Sequence, residues 1–128
     1  MQLIKIARRL RREVGRLTFR APVACVYNPL DYAWAPHCEY LERYGTGHPS
    51  ALLVVLNPGP FGMAQTGVPF GEVTIVQGWL GIKKRVGRPA CEHPKRPVLG
   101  FACHRHEISG ERFWSWARDT CGTPARFF

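Results

Sequence analysis

Ala51-Leu-Leu-Val-Val-Leu56, followed at once by Asn57-Pro-Gly-Pro-Phe-Gly-Met-Ala-Gln-Thr-Gly-Val-Pro-Phe-Gly-Glu-Val73, is the stretch on which the reading of this chain turns. The first six residues are unbroken in apolar character, which suits a short strand buried on both faces of a parallel sheet. The next seventeen crowd Pro, Gly and one amide into a tight turn. Ligands collect at the carboxyl ends of strands in open α/β sheets, so this pattern predicts a pocket with Asn57 at its edge.

Two chemistries are open to Asn57. An amide has no useful proton affinity, so it is no strong general base, but it can hold a water by donating and accepting hydrogen bonds. Such help suffices when a leaving group departs largely by itself. Asn57 can equally cap a turn beside Pro58, as Asn before Pro often does. The glycines at 59, 62, 67 and 71 permit positive φ or close approach of a ligand to backbone N–H groups, yet neither a Walker pattern nor a dinucleotide fingerprint is present. Phe70 reads either as a platform for a planar base or as an ordinary core ring.

Outward from the turn, helical spacing dominates. Leu3, Ile6, Ala7, Leu10, Val14 and Leu17 recur every three or four residues and predict an amphipathic helix lying on a core, its other faces carrying Arg8, Arg9, Arg11, Arg12 and Arg16. Val23 to Tyr27 reads as extended, and Asn28-Pro29 as a cap with a first-turn proline. A helix with Pro36 in its first turn should run to a stop at Gly45, with Tyr40, Leu41 and Tyr44 mostly inward. Glu72 to Trp79 has helix length with an acid in the first turn, and Gly81 is the expected end. Lys83 to Pro97 reads as an exposed loop and Pro97 to Cys103 as extended. Ser109 offers an N-cap for a helix over 110 to 121, with Phe113, Trp116, Ala117 and Cys121 as its buried stripe and Gly122 as terminator.

The 128 residues, 45% of them hydrophobic, suffice for one domain over 1–128. The formal net charge of +9 favours a polyanionic partner. Its distribution is uneven: residues 1 to 20 and 81 to 106 each carry seven Lys or Arg against one acid, whereas 21 to 80 hold only Arg43 against four acids. No run approaches the roughly 18 apolar residues of a membrane span, so no membrane partner is expected. The five Cys are scattered without Cys-x-x-Cys, which suits free thiols in a reducing compartment. Cys91-x-His93 with Cys103-His-x-His106 could supply four ligands, but the spacing is no standard zinc finger, and no metal is expected.

The string NPGPFGMAQTGVPFGEV, with YNPLDYAWAPHC upstream and EHPKRPVLGFAC downstream, closely resembles the single-strand-selective monofunctional uracil-DNA glycosylases of the uracil-DNA glycosylase superfamily. The likeness runs from about Leu10 to Phe128. It implies a three-layer α/β/α sandwich around a central parallel sheet, and hydrolysis of the N-glycosidic bond of uracil, or some oxidised uracils, in single- or double-stranded DNA by base flipping. Asn57 falls on the family's water-positioning amide, Phe70 on the aromatic that stacks on uracil, and Gly59 and Met63 on residues shaping the pocket around the C5 edge. The turn holds no Lys to act as an amine nucleophile, and no metal or organic cofactor is implied. A nuclear location is implied for a eukaryotic source and a cytoplasmic one otherwise.

The family pattern continues past Phe128 into a second half of the sheet that carries the uracil-reading Asn, a late catalytic His and a DNA wedge loop. None of these has a match here, and His93, His104 and His106 lie in other segments. A chain ending in Arg-Phe-Phe is unusual for a domain, since termini tend to be polar. The expectation is therefore a truncated product of a longer enzyme, its sheet incomplete, weakly stable and catalytically poor. The alternative function is a DNA-binding module that keeps the basic blocks and the base platform without the chemistry.

Overall fold

The computed structural model describes all residues from Met1 to Phe128. Helix is the only regular structure, at 46% of the chain, with no strand. In chain order the elements are α1 (Gln2–Val14), α2 (Pro29–Tyr32), α3 (Trp34–Tyr44), α4 (Met63–Thr66), α5 (Val73–Gly78), a 3₁₀ turn (Gly100–Ala102), α6 (Ile108–Cys121) and α7 (Pro124–Phe127).

The three-layer α/β/α sandwich with a central parallel sheet is thus corrected to a helical fold. The reason lies in Ala51 to Leu56. A parallel strand buried on both faces needs neighbours to share its ladder and helices to cover it. No other segment of these residues is a strand, and Leu52 and Leu56 stand 87% and 98% exposed. Pro97 to Cys103 likewise is not a strand, since Gly100–Ala102 coils into the 3₁₀ turn.

Local signals placed most helices well. Pro29 occupies the first turn of α2, and Pro36 the first turn of α3, which stops at Gly45. Gly67, at φ +73, ends α4 with its N–H donating to the Met63 carbonyl. A Cβ there would also strike the backbone of Ala33. The Glu72 side chain caps α5, accepting from the Ile75 N–H at 2.9 Å, and satisfies one of the donors a helix start leaves unpaired. The helix ends at Gly78, short of the expected Gly81.

The core sits where α5 and the segment after it meet α6. Val68, Ile75, Val76, Leu80, Ile82, Trp114 and Ala117 form it, with Tyr40, Tyr44, Phe70, Trp79, Phe113 and Phe127 packed around. Two expected stripes need correcting. On α6 the buried side is Gly110, Trp114 and Ala117, and Trp116 is 56% exposed. On α1 only Ala7 is buried, and Leu3, Ile6 and Leu10 remain about half exposed. Only 26 of 128 residues are buried, a small core from which to offset chain entropy.

Two polar features lock the connections. Buried Gln65 donates to the carbonyls of Pro60 and Pro97 at 3.0 and 3.1 Å and accepts from the N–H groups of Leu99 and Gly100 at 2.8 and 3.1 Å. One side chain thereby ties the 57–66 turn to the 97–100 segment. Cys25 and Cys91 are joined as a disulfide, with Cα atoms 5.8 Å apart. This corrects the reading of five free thiols to three, at Cys38, Cys103 and Cys121. Desolvation raises the Cys38 thiol above its ordinary pKa, which favours the thiol over the thiolate.

Candidate functional site

The turn that follows the exposed hexapeptide does form a concave site. A cavity of about 370 Å³ is lined by Asn57, Gly59, Met63 and Phe70, together with Val55, Leu56, Pro60, Pro69, Glu107 and Ser109. All four residues singled out from sequence therefore border one space. Its size is at the low end of the range for small-molecule pockets.

Each wall has a structural cause. Gly62 opens α4, so Met63 enters the cavity from the helix's first position. Phe70 has φ +53, the one non-glycine residue with positive φ. Such a conformation costs of order 1–3 kcal/mol and persists where surrounding packing imposes it. The packing here is Phe113, stacked on Phe70 with ring centroids 4.4 Å apart and planes 21° from parallel. Phe113 thus takes one face of the ring, and Phe70 is both core and cavity wall.

Asn57 is exposed, and its Nδ2 donates to the carbonyl of its neighbour Pro58 at 3.2 Å. The amide oxygen accepts from no backbone N–H, so the contact is not the turn cap that one reading of Asn-Pro expected. Without a sheet to hold it, this side chain has only local support.

Sequence reasoning missed Glu107 and took Ser109 for the N-cap of a helix from 110, whereas the helix starts at Ile108 and Ser109 lies within its first turn. Glu107 is the N-cap residue of α6, and its side chain lies over the glycines of the turn. A Cβ at Gly59 would stand 2.8 Å from the Glu107 carboxyl carbon, so a larger residue would push this carboxylate aside. No local motif announces a contact between positions so far apart in sequence. An ionised carboxylate only accepts hydrogen bonds, so Glu107 favours a ligand edge that presents N–H groups. Beside the turn, the Arg105 guanidinium stands 4.2 Å from the centre of the Phe61 ring, which places a cation next to the site.

The Cys and His pairs considered for zinc do not converge. Cys91 is consumed by its bond to Cys25, and no group of three or more His, Cys, Asp or Glu is placed to hold a metal ion. His106 instead lies with Nδ1 3.3 Å from Oε1 of the helix-capping Glu72.

Over 120 residues the chain is 56% identical to the single-strand selective monofunctional uracil-DNA glycosylase of Rattus norvegicus, an alignment covering 94% of this chain. The proteins of the same name from Mus musculus and Bos taurus are 55% and 54% identical over the same length. The chain is homologous to the single-strand-selective monofunctional uracil-DNA glycosylase family. The alignment covers 43% of the rat glycosylase and 44% of the bovine one, so the chain spans less than half the length of these relatives. No family model matches the sequence.

Homology and architecture point to different conclusions about chemistry. The relatives are named as uracil-DNA glycosylases, while the α/β scaffold that the glycosylase reading required is absent. The expectation of an active monofunctional glycosylase, a hydrolase of the N-glycosidic bond, is therefore corrected. Positioning a water to within hydrogen-bond precision needs a rigid support, and the exposed Asn57 side chain is bonded only to the next residue in the chain. No helix is long and apolar enough to cross a membrane.

Proposed function

We propose that the chain is a DNA-binding module of the uracil-DNA glycosylase type that holds a base without excising it. The observation that carries this reading is the convergence of Asn57, Gly59, Met63 and Phe70 on one cavity in a chain that lacks the catalytic sheet. In this proposal residues 1–128 act as one unit, Phe70 supplies the stacking surface, and Met63 and Gly59 shape the space for a pyrimidine. Asn57 and Glu107 offer hydrogen bonds at the rim. The net charge of +9 favours the DNA backbone, and the ligand is uracil-containing DNA, single-stranded by preference because an unpaired base needs no extraction from a duplex. The nucleus of a eukaryote, or the cytoplasm of a prokaryote, is where such a module would meet its ligand.

A fluorescent single-stranded oligonucleotide containing uracil tests this. Binding followed by anisotropy should weaken by about 5- to 150-fold in Phe70→Leu, the equivalent of about 1–3 kcal/mol of stacking. Alkali treatment afterwards should reveal no abasic sites. Strand cleavage that disappears in Asn57→Ala would overturn the non-catalytic reading.

A further inference from the structure

A second, larger cavity of about 700 Å³ lies where α1 meets the 89–91 segment of the basic loop. Its walls bring in Arg8, Arg11, Arg12 and Arg16 from the helix, and Asp31 is the only carboxylate among the lining residues. The guanidinium groups of Arg8 and Arg11 lie 5.8 and 5.5 Å from the centre of the Trp34 ring, an attraction that restricts two otherwise mobile side chains. Arg11 also donates from Nε to Oδ1 of Asp31 at 2.9 Å. Arg12 and Arg16 form no ion pair with any carboxylate. Two guanidinium groups are thus tethered and two are left to a ligand.

The opposite wall is fastened as well. Cys91 is bonded to Cys25, and Tyr27 donates to the Arg96 carbonyl at 2.6 Å while accepting from the His93 N–H at 2.8 Å. A cationic cleft held open between two fixed walls suits an anion of some length. Guanidinium forks match phosphate geometry.

We infer that this cleft is a phosphate-binding site for the backbone of single-stranded nucleic acid, gripped by Arg12 and Arg16. The inference rests on the DNA-binding reading and gives it a second contact, separate from the base cavity. A flexible strand can thread a cleft that a stiff duplex only bridges, and backbone contacts of this kind carry no base information. Oligothymidylate, which carries no uracil, is therefore the probe that isolates the cleft.

The test compares wild type, Arg12→Gln/Arg16→Gln and the charge-matched control Arg118→Gln/Arg126→Gln, with helix content checked by circular dichroism. Binding of a short oligothymidylate is followed across a salt series, with inorganic pyrophosphate as competitor. Loss of two phosphate contacts should lower the slope of log K against log salt by about 1.4 for a single strand. The control should keep the wild-type slope, and pyrophosphate should displace the strand from wild type.

Equal slopes for the two double variants would overturn the cleft as the gripping site, as would tighter binding to phosphatidylserine vesicles than to the oligonucleotide. If the slopes are equal while Phe70→Leu still weakens the uracil strand, the cleft alone fails. If the slope falls in Arg12→Gln/Arg16→Gln while Phe70→Leu changes nothing, the cleft stands and the base-holding reading fails. Absence of any binding by wild type overturns both.

Discussion

Ala51 to Leu56 and the segment around Trp114 are both rich in apolar side chains, yet they end in opposite environments. Trp114 is 2% exposed at the centre of the core, while the hexapeptide is the most exposed apolar run in the chain. The difference is one of partners. On α6, the apolar side meets α5 across one interface and the aromatic rings of α7 across another, including Phe127 at 5.7 Å from Trp114. The hexapeptide has no strand beside it, and all six of its residues are exposed. Apolarity is a demand for burial, and the demand is met only where another surface is shaped to receive it.

The strongest way to break this contrast is to truncate both regions. Trp114→Ala should cost about 3–5 kcal/mol in urea unfolding, whereas Leu56→Ala should fall within about 0.5 kcal/mol of wild type. A large loss at Leu56 would mean that the hexapeptide is packed after all.

A polar counterpart comes next in size. Gln65→Ala removes four hydrogen bonds, three of them only partly buried, and leaves two carbonyls and two N–H groups to find new partners. A loss of about 3 kcal/mol is expected in the same assay, with the 57–66 turn becoming open to proteolysis. An unchanged cleavage pattern would show that the turn is held by something else.

The third test uses pH. Burial lowers the pKa of His37, opposed by the hydrogen bond its Nδ1–H donates to the Gly67 carbonyl at 2.8 Å. In the unfolded chain the imidazole titrates near its ordinary value of about 6.5. Below that pH the unfolded state binds more protons than the folded one, so stability present above about pH 6.5 is lost as the pH falls. His37→Asn should flatten this part of the profile, and a profile equally steep in that variant would remove His37 as its source.

The smallest expected effect concerns association. The hexapeptide is uncharged and exposed, the composition of an aggregation-prone edge. Val54→Lys should leave the melting temperature nearly unchanged while lowering light scattering in concentrated solution. Scattering that is unaffected would show that the exposed run does not mediate contacts between molecules.

These contrasts mark what a sequence can reveal here. Helices bounded by local chemistry were legible, because Pro29, Pro36, Gly45 and Glu72 act on their own neighbours. That Asn57, Gly59, Met63 and Phe70 border one cavity has a similar reason, since they lie close together in the chain; their roles there were implied by the family resemblance and remain a proposal. Choices that depend on distant partners were hidden. Both Trp114 and Trp116 satisfy helical spacing with their neighbours, and only the placement of α5 and α7 selects Trp114. Glu107 meets Gly59 solely through tertiary packing. A run suited to a doubly covered strand says nothing of whether its neighbours are at hand.

Hydrogen exchange followed residue by residue tests that central contrast most directly. The account predicts that amides of Ala51 to Leu56 exchange at nearly the rate of an unfolded peptide, while those of Val76 and Trp114 are protected close to the limit set by global unfolding. Protection of the hexapeptide equal to that of Trp114 would contradict it, because such amides would have to be paired in a sheet.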